Sequence, residues 1–233
     1  MPPAVLGLGS TAPLALARLH RDLAVGEVVT VQFRGTSDIS VNDLVHGGGF
    51  EREPGDPLRL RLRLRLRLRR ARTLPDFAGP GLRVLVCGLN PSLVAADAGF
   101  GYAGQTNRFW PAALDAGLVT VGQDPWHAIE HDGVGMTDLV KRATPAAAAL
   151  TAAEYGAGAA RVERLVRWLR PHVVLFVGLT GWRAAVDGKA TAGWQPDGFG
   201  GAAAYVMPST SGLNAHTTRS SLADHIRSAL AVA

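Results

Sequence analysis

Two residues past the end of an apolar run stands an asparagine, in Val84-Leu85-Val86-Cys87-Gly88-Leu89-Asn90-Pro91-Ser92. Its side-chain carbonyl can accept a hydrogen bond from a water molecule and aim it, although an amide cannot take a proton with the strength of a carboxylate. Asn-Pro steps also start turns, so Asn90 reads either as a water-positioning group or as a turn former. Ser92 adds a small hydroxyl, while Gly99-Phe100-Gly101-Tyr102 and Asn107-Arg108-Phe109-Trp110 bring aromatic rings and a second amide close behind. A later loop, Ser209-Thr210-Ser211-Gly212-Leu213-Asn214, sets one bulky apolar side chain among small polar ones. The first loop contains no lysine, which leaves Schiff-base chemistry without a nucleophile. His127 and His131 are four apart, but Asp124-Pro125 and Gly133-Val134-Gly135 flank them as loop signals, and no metal is expected. With Cys87 as the only cysteine, neither an internal disulfide nor a cysteine-ligated cluster can form.

Three strands must carry these loops, at 83–88, 172–177 and 203–207, each ending in small or polar residues. Between them the pattern predicts helices from Asn107 to Leu114, Ala146 to Glu154, Ala159 to Leu169, Gly181 to Val186 and Ser220 to Ala231. Helices alternating with strands imply a mainly parallel central sheet covered on both faces, a three-layer α/β/α domain spanning 74–233. Ligands of such sheets sit beyond the carboxyl ends of the strands, where Asn90 falls.

Residues 1–73 read differently, as an N-terminal extension of open fold. Leu14 to Leu23 suggests a helix, Glu27 to Phe33 alternates like a strand, and Gly47-Gly48-Gly49 marks a loop. From Leu58 to Arg69 leucine and arginine alternate, which in a strand puts Leu on one face and Arg on the other. That repeat is a basic arm for phosphates, an edge strand, or a linker with solvated arginines. The chain of 233 residues carries a net charge of +5. Met1–Pro75 holds 12 Arg and no Lys against 7 acidic residues, whereas the remaining 12 basic and 12 acidic residues cancel. Phosphate contacts in the second part must then come from backbone amides, hydroxyls and local cations such as Arg108, Lys141 and Arg142. No run is long and apolar enough for a membrane span, and no secretion signal opens the sequence, so a cytoplasmic monomer is expected.

Taken in order, Gly88-Leu89-Asn90-Pro91, Asn107-Arg108-Phe109-Trp110, Gly135-Met136-Thr137-Asp138-Leu139-Val140 and Met207-Pro208-Ser209 through Gly212-Leu213 resemble the mismatch-specific uracil/thymine-DNA glycosylase family, within the uracil-DNA glycosylase superfamily. The resemblance runs from about Leu74 to the C-terminus. It implies a DNA-repair enzyme, without cofactor, that flips uracil out of mismatched double-stranded DNA and hydrolyses its glycosidic bond to leave an abasic site. Thymine and other deaminated bases are further substrates under this reading. Asn90 falls on the family's catalytic Asn, and Tyr102 on its stacking aromatic, with Phe100 as a pocket wall. Backbone N–H groups near Leu89 and Tyr102 would bind the base carbonyls and the departing anion, and Asn107 would brace the loop. Ser92 replaces a glycine common in close relatives and would narrow the pocket. Ser209, Ser211, Gly212, Leu213 and Asn214 match the intercalating element, with Leu213 filling the gap left by the flipped base. The family often has Arg two positions beyond that Leu; here Ala215 and His216 follow, and His216 would touch a phosphate or the widowed base. Two alternatives stay open: a nucleic-acid-binding protein of the same fold with little catalysis, and a superfamily glycosylase preferring deaminated purines.

Overall fold

The computed structural model describes residues 3–54, 58–60 and 63–233. The N-terminal segment forms a sheet of its own, from β1 (Ala4–Gly7), β2 (Val28–Arg34), β3 (Phe50–Arg52), β4 (Leu58–Leu60) and β5 (Arg63–Arg70), with helices α1 (Ala12–Asp22) and α2 (Val41–Gly47). The Leu-Arg strand β5 is neither an edge nor a linker: it pairs antiparallel with β2 on one side and with β3 and β4 on the other. Arg61 and Leu62 of the repeat lie outside the described residues. Where side chains are described the period of two holds, since Leu66 and Leu68 are buried and Arg65 and Arg67 exposed. The leucines pack with Val31 and Phe33 of β2, Leu16 of α1, and Leu44 and Val45 of α2.

The remaining chain builds a second sheet from β6 (Val84–Gly88), β7 (Val134–Asp138), β8 (Val173–Val177), β9 (Gly193–Phe199) and β10 (Ala202–Met207). Its order is β7-β6-β8-β10-β9, all parallel except the edge strand β9. Alternate residues of the central strands face opposite layers, as a pleat requires. Val84, Val86, Leu175 and Met207 pack against α4 (Phe109–Asp115), α5 (Pro125–His131) and α8 (Arg219–Leu230). Leu85, Cys87, Val174, Phe176 and Val206 pack against α6 (Ala152–Leu169) and α7 (Leu179–Ala185). This is the three-layer α/β/α arrangement, joined by a short helix α3 (Leu93–Ala98) directly after the Asn90 loop. The chain leaves β6 towards β7 on one side and later returns to β8 on the other, so a switch point opens beside β6, where such sheets hold ligands. Among the described residues no helix is long and apolar enough to cross a membrane.

Four local expectations change. Asp124-Pro125 starts helix α5 rather than a loop: the Asp124 carboxylate accepts from the N–H groups of Trp126 and His127, and Pro125 sits at the first helical position. His127 and His131 therefore share a helix face, with ring centroids 4.5 Å apart. Of the two helices expected at 146–154 and 159–169, the start of the first is a single 3-10 turn at Ala147–Ala149 and the rest is one helix, α6, opened by a reciprocal Thr151–Glu154 capping box. Strand β9 escaped the pattern because Gly193, Pro196 and Gly198 interrupt it, and an edge position tolerates the proline.

Candidate active site

A cleft of about 260 Å³ opens at the carboxyl ends of the second sheet. Gly88 to Ser92 after β6, Asp138 at the end of β7, Val177 of β8 and Ser209 to Gly212 after β10 line it, with Leu74, Gly101, Tyr102 and Asn107 closing the rim. Of the residues expected from the sequence, Leu89, Asn90, Ser92, Tyr102, Asn107, Ser209, Ser211 and Gly212 meet here.

Asn90 is held by its amide nitrogen. Nδ2 donates to the carbonyl oxygens of Pro91 (3.1 Å) and Arg142 (3.0 Å) and to Thr144 Oγ1 (2.8 Å). Two of these partners are pure acceptors, so the NH2 must be the group facing them. Among the described residues no donor reaches the side-chain oxygen Oδ1, which is left to accept. Ser92 is the N-cap of α3, its hydroxyl accepting from Ala95 N at 3.1 Å. Asn107 Oδ1 accepts from Phe109 N at 2.9 Å and fixes the entry to α4.

Tyr102 lines the cleft and Phe100 does not, the loop between them being turned rather than extended. Tyr102 sits at φ 61°, a left-handed conformation unusual for an aromatic residue. Its ring stacks on Phe109 with centroids 4.1 Å apart. Phe100 packs half-buried against the layer containing Phe109 and Trp110 and does not line the cleft. The Tyr102 hydroxyl is buried with no hydrogen-bond partner, and burial beside Asp138 pushes its pKa well up, so it keeps its proton as a donor.

Asp138 is the group the sequence reading passed over. It lies across the ladder from Gly88, and a Cβ at Gly88 would come within 2.6 Å of its Oδ1 and 3.1 Å of the Tyr102 hydroxyl. Only a glycine at that position lets the three groups share the site. Burial pushes the Asp138 carboxyl up to about 6, a rise that Asp76 reinforces and Lys141 and Arg161 oppose. A carboxylate at the end of a parallel strand is a signal in itself, but its partners come from loops that only the fold assembles.

Beneath the cleft lies a buried ion cluster. Asp76 accepts from Lys141 Nζ at 2.9 Å, Arg161 Nη1 at 2.6 Å and Thr137 Oγ1 at 2.6 Å. Burial alone would push its carboxyl up, yet Arg161 and Lys141 hold it below the usual range. Arg161 Nη2 also donates to the Asp138 carbonyl at 2.8 Å and so fixes the backbone of that residue.

The three local cations expected to meet phosphate are all engaged within the chain. Lys141 is buried on Asp76, and Arg142 pairs bidentately with Glu154 (2.6 and 3.0 Å). Arg108 donates to the carbonyls of Ser211 (2.9 Å), Asn214 (2.6 Å) and Thr217, and so clamps the loop after β10. Within that loop the Ser209 and Ser211 hydroxyls accept from the N–H groups of Ser211 and Leu213, and Asn214 Nδ2 donates to Ser209 O and Thr217 Oγ1. Gly212 packs against Thr106 so closely that a Cβ would collide with its side chain. Leu213, Asn214 and His216 stand outside the cleft, His216 exposed and Leu213 97% exposed at the tip.

The sequence model of the family described as the Uracil DNA glycosylase superfamily matches residues 75–231. Among solved structures, the solution NMR structure of a candidate uracil DNA glycosylase from Methanosarcina acetivorans is similar at 19% identity and a TM-score of 0.45, over 68% of this chain and 96% of that one.

Proposed function

Because the chain belongs to the uracil DNA glycosylase superfamily, whose members are DNA glycosylases, we propose that the cleft is its base pocket and that it hydrolyses uracil from mismatched duplex DNA, leaving an abasic site. The observation that carries the reading is the fixed amide of Asn90, whose free Oδ1 can hold a water molecule and aim it at C1′ of an extruded nucleotide. As the water oxygen bonds to C1′, the glycosidic bond breaks and its electron pair leaves with the base. Asp138, a carboxylate above about pH 6, can take the proton that the amide cannot. The Tyr102 ring lines the cleft, and its buried hydroxyl stays protonated beside Asp138, so it adds no second negative charge next to the departing anion. The Ser92 side chain, pinned as a helix cap, occupies part of the cleft wall and favours uracil over the bulkier thymine. Leu213, fully exposed on a clamped loop, is the wedge that replaces the extruded base.

The test is base release from duplexes carrying a single G·U, A·U, G·T or G·hypoxanthine pair, read as abasic sites after alkaline cleavage. Uracil release is expected to lead, and Asn90→Ala to slow single-turnover release about 100-fold or more. Unchanged release by that variant refutes the role of Asn90. A folded wild type that binds duplex but releases no base refutes the enzyme reading in favour of a binding protein of the same fold. Hypoxanthine released ahead of uracil moves the substrate to deaminated purines.

A further inference from the structure

We propose that the arginine face of the N-terminal sheet is a second DNA contact, a sequence-independent surface for the phosphate backbone. The choice of polyanion rests on the DNA reading of the cleft.

The catalytic part of the chain is neutral overall, and Arg108, Lys141 and Arg142 near its cleft are occupied by protein carbonyls and carboxylates. Arg72, beside cleft-lining Leu74, is likewise paired with Asp97. The basic excess of the protein lies in the N-terminal unit, and there the sheet sorts it by face. Leucines of β5 enter the core with α1 and α2, while Arg65 and Arg67 project from the opposite face into solvent. Arg34 of β2, exposed and paired in register with Arg63, falls on that same face, as does the half-exposed Val5 of β1. Arg69 is neutralised by Glu53 at 2.7 Å, but among the described residues the side-chain hydrogen bond of Arg65 is to the neutral Gln32, at 3.4 Å. Arg34, Arg65 and Arg67 are exposed on this face, with Gln32 buried between them.

Its spacing suits a polyanion. Residues two apart on a strand repeat about every 6.8 Å, which is two phosphate steps of one DNA strand along the duplex axis. Leu74, at the cleft rim, follows Arg67 by seven residues, at most about 25 Å of chain. The face and the cleft thus lie within one duplex turn of about 34 Å. Because α1 and α2 occupy the other face, the arginines act on affinity and search rather than on bond cleavage.

The test uses the full chain with Arg65→Gln and Arg67→Gln together, and an undamaged duplex oligonucleotide titrated by fluorescence anisotropy between 50 and 200 mM salt. Loss of two phosphate contacts lowers the slope of log K against log salt by about 1.8, so wild-type affinity falls about 12-fold more than that of the variant across this range. Single-turnover uracil release at saturating protein stays unchanged, and Arg65→Lys with Arg67→Lys keeps the wild-type slope. An unchanged slope in the Gln variant, or a slope lost equally in the Lys variant, overturns the proposal. A wild type with the expected salt dependence but no base release overturns the cleft reading and leaves the surface standing. Base release with an unaltered slope does the reverse.

Discussion

Asp138→Asn should make the protein more stable at neutral pH and less active. The Asp138 carboxyl titrates near 6 in the folded chain against an ordinary 3.8, and no hydrogen bond to its side chain offsets the burial. At about pH 3 and below the carboxyl is largely protonated whether the chain is folded or not, and its burial costs almost nothing extra. As pH rises from 3.8 through 6 the unfolded chain releases the proton first, so stability is progressively lost and remains lower above 6. At 1.36 kcal/mol per pH unit, the two-unit gap amounts to about 3 kcal/mol. Asparagine removes the charge and keeps the shape. Urea unfolding of both proteins at pH 3.0 and 7.5 isolates the effect, because every other titrating group is common to both. The variant should be about 3 kcal/mol more stable at pH 7.5 and nearly equal to wild type at pH 3.0. A difference of the same size at both pH values would refute the reasoning, since it would come from packing rather than from the charge. The same substitution should remove the rise of the base-release rate around pH 6 that a carboxylate base produces in the wild type.

Leu213→Ala should leave unfolding stability within about 0.5 kcal/mol, since the side chain is almost fully exposed. It should lower release from duplex while sparing single-stranded substrate: a wedge offsetting even about 1.4 kcal/mol of unstacking is worth about tenfold. Asp76→Ala strands Arg161 and Lys141 as buried, unpaired cations and should cost about 3–5 kcal/mol in urea unfolding at pH 7. A loss below 1 kcal/mol would mean that the cations escape to solvent.

The placement of the first loop was legible because it is local. A strand, a glycine, an Asn-Pro step and a small hydroxyl follow one another up to Ser92, and each is read without knowing the partner strands; that Ser92 caps α3 came only with the structure. The central strands β6, β8 and β10 were legible for the same reason, as short apolar runs closed by turn residues. Asp138 was not, because its meaning comes from lateral register: nothing in Thr137-Asp138-Leu139 says that Gly88 and the Tyr102 hydroxyl lie beside it. Arg108 was misjudged as a free cation because the carbonyls it serves lie over a hundred residues away, in the loop at 211–217. Helix α5 hid behind Asp124-Pro125, a pair that serves a turn and a helix start equally well. Residues 1–73 gave the period of the Leu-Arg strand but not its interior place, since pairing partners on both sides are a property of the sheet.

The interior that buries Leu66 and Leu68 of the first sheet continues without a seam into Leu85, Cys87 and Phe176 of the second. Arg164 of α6 reaches back to Asp43 of α2 with two hydrogen bonds, and Thr73 donates to the Lys141 carbonyl. The two sheets therefore share one reservoir of folding energy, and neither can melt while the other stands. Heating should give one transition rather than two, and a fragment beginning at Leu74 would open half of a common interior to water. For anyone engineering this protein, the front third is a foundation rather than an appendage that can be trimmed.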